Sequence, residues 1–157
     1  MKKYFKAVLL FSVFLINKKS IGQTLFKENA FALNCKCSKE QYNYNKENKS
    51  YSYLFVDEGI GAMYKIITKT ISANTDKNYM LNLFKNETPG YSFRETIYKG
   101  NKAIVGKGEE IINGTKMKTY LINFFTKDKF YTISIFAFDN KDLENAYQTF
   151  SKSLILN

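Results

Sequence analysis

The stretch Lys116–Phe138, KMKTYLINFFTKDKFYTISIFAF, constrains the fold more than any other part of the chain. Two runs rich in β-branched and aromatic residues, 117–125 and 130–138, flank the polar tetrad Thr126-Lys127-Asp128-Lys129. That pattern predicts two strands joined by a short charged loop. On the first, Tyr120, Ile122 and Phe124 share one face; Leu121 and Phe125 share the other, with Asn123 between them. On the second, Tyr131, Ile133 and Ile135 share one face, and Phe130, Phe136 and Phe138 the other. Neither strand alternates cleanly between apolar and polar. Both faces are therefore expected to be covered over much of their length, as in the middle of a sheet.

One cover follows directly. Asp139-Asn140 ends the second strand and can cap a helix. Beyond it Leu143, Ala146, Tyr147, Phe150 and Leu154 fall at spacings that put them on one helical stripe. Asp142 and Glu144 in the first turn and Lys152 near the end suit the helix dipole. The stripe is read as core, packed back onto the hairpin.

Upstream, Phe31–Cys35 reads as a strand. Residues 42–45, 46–49 and 50–56 read as strand, turn, strand. Asp57–Gly61 is a loop and 62–71 a further strand, with Lys65 and Lys69 on one side. Asn74-Thr75 can cap a helix over 76–87, with Tyr79, Met80, Leu83 and Phe84 as its buried stripe, and Pro89-Gly90 stops it. Strands follow at 91–98 and 103–112, joined by the Lys99-Gly100-Asn101-Lys102 turn. Asn113-Gly114, the strongest hairpin signal in the chain, leads into 117–125. Residues 23–30 read as a mobile lead-in or a short helical turn. The order is strands, helix, four strands in a meander, helix. It predicts an α+β fold with an antiparallel sheet of about six to seven strands and two helices on opposite faces, an α/β/α sandwich.

Residues 1–22 read as a signal peptide. Lys2, Lys3 and Lys6 form a basic start, Ala7–Ile16 is apolar but for Ser12, and Ser20-Ile21-Gly22 suits cleavage before Gln23. Lys18 and Lys19 are awkwardly placed for such a segment. The alternative is an uncleaved anchor, the one route by which the chain would meet a membrane, but the apolar stretch falls well short of the about 20 residues a span needs. The expectation is a single domain, 23–157, secreted or periplasmic.

Export changes the charge balance. Residues 1–22 hold five lysines and no acid, so the 24 basic residues fall to 19 against 14 acidic ones, and the net charge from +10 to +5. Arg94 is the sole arginine. A lysine-dominated surface of this charge attracts anions weakly and lacks the forks that read phosphates and bases, so specific nucleic-acid binding is not expected. With no His in the chain, His-based nucleophile triads are excluded.

Set against known families, the layout resembles the PsbP-like family, which comprises the extrinsic oxygen-evolving subunit of the photosystem and exported bacterial relatives. The likeness rests on the 92–138 meander, the strand Lys129-Phe130-Tyr131-Thr132-Ile133-Ser134-Ile135 and the last helix with Phe150-Ser151-Lys152-Ser153-Leu154 near its end. It covers 30–157 in outline. It implies an antiparallel sheet between helices and a non-enzymatic assembly or binding role, and it carries over no functional residue.

Two local features stand out. Cys35 and Cys37 lie two residues apart, on one face if the strand is extended. They can be a disulfide or two free thiols; they can also bind a soft metal such as Cu(I) or act as a redox pair. A disulfide at this spacing needs the backbone to turn, which Ser38-Lys39 permits. The structural pair is preferred, because no further ligands for a metal accompany it. Tyr42, Tyr44, Tyr51 and Tyr53 alternate with Asn and Ser across a hairpin. They can pack across the strands, or form an exposed strip that stacks a sugar or a partner's side chains. This strip is the candidate binding feature.

The remaining constellations have plainer readings. Glu109 and Glu110 are neighbours on a strand and point opposite ways, so they form no dyad. Gly106-Lys107-Gly108 is read as a glycine kink or bulge, and Asp139-Asn140-Lys141-Asp142 as a helix cap. No catalytic residue, metal or cofactor is assigned. Three functions stay open: a non-catalytic exported domain binding a protein, glycan or other envelope partner; a thiol or metal module on Cys35 and Cys37; and a carboxylate-based enzyme. The first is preferred.

Overall fold

The structure, a computed structural model, describes residues 22–157; the expected signal peptide otherwise lies outside the described residues. In chain order the elements are β1 (Thr24–Lys27), β2 (Phe31–Cys35), β3 (Ser38–Asn45), β4 (Ser50–Asp57), β5 (Ala62–Thr70), α1 (Lys77–Glu87), β6 (Ser92–Tyr98), β7 (Asn101–Ile112), β8 (Thr115–Phe125), β9 (Lys129–Ala137), α2 (Asn140–Ser153) and β10 (Leu154–Leu156). The fold is α+β. Seven strands form one antiparallel sheet in the order β3-β4-β5-β9-β8-β7-β6, and β1-β2-β10 form a second of three strands.

The hairpin β8–β9 sits near the middle of the large sheet, as its two-sided apolar pattern requires. Phe124 pairs with Tyr131, and Ile122 with Ile133. The Phe124 and Tyr131 rings stack at 4.7 Å, 3° from parallel. Asn123 is fully buried, and its Oδ1 accepts from Thr132 Oγ1 across the strands at 2.8 Å. The meander β6–β9 has the expected connections. Asn113 (φ 50°) and Gly114 (φ 79°) both take left-handed backbone in the β7–β8 turn, the conformation a two-residue turn of primed type needs.

The two helices cover opposite faces. On one, Leu143, Ala146 and Phe150 of α2 share a core with Tyr120, Ile122, Ile133 and Ile135. Burying Leu143 and Phe150 contributes about 1.5–3 kcal/mol each. On the other, Leu81 of α1 meets Ile104 and Phe125, with Phe84, Phe93 and Phe130 around them. Asp76 caps α1 through its carboxylate, which accepts from the Tyr79 N–H at 2.9 Å. Asp139 caps α2 likewise, accepting from the Asp142 N–H at 2.8 Å.

Several local expectations are corrected. The cap of α1 is Asp76, not Asn74-Thr75, and Leu81 takes the buried place of the expected stripe while Tyr79 is 61% exposed. Residues 24–27 are a strand, not a mobile lead-in or a helical turn. Leu154 caps α2 and opens β10 instead of continuing the helix, yet it stays in the same core. The small sheet lies on the α2 side: Phe31 meets the Tyr53 ring edge-on at 5.1 Å, and Tyr131 Oη donates to the Ala30 carbonyl at 2.7 Å. α2 and the small sheet together cover that face. Among the described residues, no helix is long and apolar enough to cross a membrane.

Candidate functional site

The corner between β2 and β3 carries the chain from the small sheet into the edge of the large one. The backbone bends at Lys36, and Cys35 and Cys37 are joined as a disulfide with Cα atoms 5.2 Å apart. Both sulfur residues are buried in the main core, at 5% and 1% exposure. They are placed to hold the corner.

From that corner β3 runs out along β4 with Tyr42 opposite Tyr53 and Tyr44 opposite Tyr51. Residues directly opposite each other share a face, so all four tyrosines lie on the α2 side of the sheet. They form a strip graded across the two strands, covered on β4 and exposed on β3. Tyr53 is buried against Phe31, Tyr51 is half-buried, and Tyr44 and Tyr42 are 39% and 53% exposed. The rings touch in sequence: Tyr53–Tyr42 at 5.3 Å, Tyr42–Tyr51 at 6.2 Å and Tyr51–Tyr44 at 4.6 Å. Each such pair contributes about 0.5–1.5 kcal/mol beyond its buried area. The two β4 rings are thus fastened to the core while the two on the edge strand β3 present their faces and phenol groups to water.

Two residues that the sequence did not single out complete the strip. A register shift between Lys39 and Gln41 turns Lys39 onto the tyrosine face. Its ammonium lies 5.2 Å from the Tyr42 ring centre, 5.1 Å from that of Tyr53 and 2.5 Å from Glu28 Oε1. Burial, and after it the Glu28 carboxylate, pushes the Tyr53 phenol well above its ordinary range. Tyr53 is therefore neutral at physiological pH and offers a donor, not a nucleophile.

A second feature lies across the same face, beside the first turn of α2. An open cleft of about 400 Å³ is lined by Ser92, Arg94, Lys107, Tyr120 and Glu144, with Phe93 and Val105. Tyr120 Oη donates to Glu144 Oε2 at 2.7 Å, and Gln148 Nε2 donates to Oε1 at 3.2 Å. These bonds, with Lys107 at 3.4 Å, hold the Glu144 carboxyl below the usual range. Burial raises the Tyr120 phenol, while the Tyr120 hydroxyl and then Glu144 keep the Lys107 ammonium charged. Glu144, Tyr120 and Lys107 are each held in their ordinary ionic form. A single carboxylate lines the cleft, held ionised, so the pair that glycoside hydrolysis uses is not assembled there.

The other sequence features resolve simply. Glu109 pairs with Lys116 and Lys118 on one face; Glu110 accepts from Tyr91 Oη at 2.5 Å on the other. Gly106 and Gly108 pair regularly with β8, so there is no kink or bulge. They are slots for aromatic rings: a Cβ at Gly106 would sit 2.6 Å from the Phe93 ring, and one at Gly108 2.8 Å from Tyr91. Asp57 closes β4 as a turn, its Oδ1 accepting from the Gly59 and Ile60 N–H groups at 3.0 and 3.3 Å. Among the described residues, no group of three or more Cys, Asp or Glu side chains is placed to hold a metal.

No family model matches the chain. No curated protein matches its sequence. Solved structures do match its fold. A protein from Bacteroides thetaiotaomicron, solved at 1.50 Å, superposes with a TM-score of 0.61 at 13% identity, over 87% of this chain. This chain spans 49% of that protein's length. LpqN of Mycobacterium tuberculosis, described as involved in cell envelope biogenesis, superposes with a TM-score of 0.55 at 11% identity, over 87% of this chain and 91% of its own. At these identities the likeness is one of fold.

Proposed function

We propose that this chain is an exported, non-catalytic domain that binds a protein or glycan of the cell envelope through the strip Tyr42, Tyr44, Tyr51 and Tyr53. The observation that carries the reading is the grading of the strip. Rings that only packed the sheet would all be buried, whereas here the β4 pair is covered and the pair on the edge strand β3 faces solvent. Large, rigid and amphipathic, tyrosines give contact area at low entropic cost. Lys39 and Glu28 supply charge of both signs beside Tyr53. The envelope role described for LpqN, a structural neighbour, is compatible with this reading, as is the binding or assembly role that the PsbP-like resemblance implies. The secreted or periplasmic location follows from residues 1–22, read as an export signal.

The chain has 12 tyrosines and no tryptophan, so its intrinsic emission reports on tyrosine surroundings. Titration with solubilised envelope glycan fragments, and separately with detergent-extracted envelope proteins, is expected to change that emission in one arm. A Tyr42→Ser/Tyr44→Ser variant that is folded by circular dichroism is expected to lose at least tenfold in affinity. Equal affinity of variant and parent, or no response in either arm, overturns the reading.

A further inference from the structure

Among the described residues, β3 is the outer strand of the seven-stranded sheet, paired with β4 alone. Its far side has no described strand beside it, and such an edge is a template for pairing with another chain. Proteins that keep an edge single protect it with lysine, proline, a bulge or an inward charge. β3 has such protection only where it begins, with Lys39 and the register shift at Glu40. From Gln41 to Asn45 it has none: five exposed, uncharged residues, QYNYN, in unbroken register with β4. A charge stands at each end of this segment, Glu40 at the register shift before it and Lys46 in the turn after it, both exposed.

The order of these residues is self-complementary. Laid antiparallel on itself about Asn43, the segment sets Gln41 against Asn45, Tyr42 against Tyr44 and Glu40 against Lys46. Centring on Tyr42 instead sets Glu40 against Tyr44, and centring on Tyr44 sets it against Asn48, so both charge pairs are lost. We propose that two copies of this chain join through β3, edge to edge and antiparallel, about a two-fold axis beside Asn43. The occupant of the edge is thus a second copy. The contact is isologous, so each favourable pair occurs twice. Glu40 of each copy faces Lys46 of the other, and each Tyr42 lies beside a Tyr44, the kind of aromatic cross-strand pair that stabilises sheets. Directly opposed residues share a face, so the two tyrosine strips meet on one side of a continuous sheet. Lys39 stays with Glu28, and the core of neither copy changes.

The charge swap tests the pairing without altering the strip, because Glu40 and Lys46 lie outside it. The test is analytical ultracentrifugation of the purified chain with a charge swap. The parent is expected to show a monomer–dimer equilibrium. Glu40→Lys puts two cations together at both symmetric positions and is expected to weaken the dimer roughly tenfold. Glu40→Lys/Lys46→Glu reverses both pairs and is expected to restore it. Both charged positions are exposed, and unchanged thermal melting of the swap variants keeps a folding defect from mimicking dissociation. A parent that sediments as a monomer up to its solubility limit overturns the proposal. So does a dimer that Glu40→Lys leaves intact, or one that the double swap fails to restore.

Discussion

The two edges of the large sheet both rely on aromatic side chains, and use them in opposite ways. At the β6 edge the rings turn inward: Phe93 and Tyr91 lie over Gly106 and Gly108, and Tyr98 is buried beside Phe124 at 5.4 Å. That edge carries adjacent charges in mid-strand, Arg94 and Glu95, the latter paired with Lys102 at 3.6 Å. At the β3 edge the rings climb outward from Tyr53 to Tyr42 and Tyr44, and the middle of the strand is uncharged. The same residue type therefore makes one edge self-contained and leaves the other available. What separates them is where the rings go and whether charge guards the backbone.

The contrast can be broken most forcefully by truncating one ring at each edge. Tyr98 is 5% exposed, and its hydroxyl shares a hydrogen bond with Ser151 Oγ at 3.2 Å. Tyr98→Ala is expected to cost about 3–5 kcal/mol in denaturant unfolding, as large aromatic truncations in cores do. Tyr42→Ala is expected to cost less, about 1–3 kcal/mol, because it loses two ring contacts but opens no core cavity. Equal costs would mean that the two edges are not different in kind.

A smaller effect tests the glycine slots. Gly106→Ala places its Cβ within 2.6 Å of the Phe93 ring and forces that ring off its seat. Overpacking of this kind is expected to cost about 1–3 kcal/mol, read as a lowered melting temperature. An unchanged melting temperature would show that the β6 rings are loosely seated.

The smallest effects concern pH, and their signs are opposite at the two sides of the sheet. Burial raises the Asp57 carboxyl, although its backbone hydrogen bonds pull the other way. An acid with a raised folded pKa supports the fold while protonated, and that support is lost as pH rises through the folded value. Asp57→Asn, which keeps the acceptor of the turn, is expected to be more stable than the parent at neutral pH and equal to it in acid. Glu144, beside the β6 side, is lowered by Tyr120, Gln148 and Lys107. Its support is present at neutral pH and is lost as pH falls through its folded value. Glu144→Gln is expected to be less stable than the parent at neutral pH and to converge with it in acid. Paired urea titrations at two pH values check both signs.

Much of this frame was legible beforehand. Tyr120, Ile122 and Phe124 against Leu121 and Phe125 announce a two-sided central strand, because strand geometry alternates and both sets are apolar. The stripe Leu143, Ala146, Phe150 announces α2 for the same reason at helical period. β1 and β10 were not legible. Each is three or four residues long, too short to establish a period, and its partner β2 is a strand whose neighbours depend on how the whole chain closes. Leu154 fits a helical stripe and a strand equally well, since burial in the core is all the pattern encodes. The tyrosines could be named as a strip, but their grading depends on where the small sheet ends. Lys39 joins them only because of a one-residue irregularity. Arg94 was conspicuous as the sole arginine, yet its meeting with Lys107, Tyr120 and Glu144 needs three strands and a helix to be in place.

The sulfur pair at the β2–β3 corner has a practical use. Because Cys35 and Cys37 are buried in the main core at the end of the small sheet, a reductant and an alkylating reagent must wait for the packing that covers them to lift. The labelling rate is then a clock for the motion of the cover. It reads opening events at the root of the exposed edge strand with no probe added to the protein.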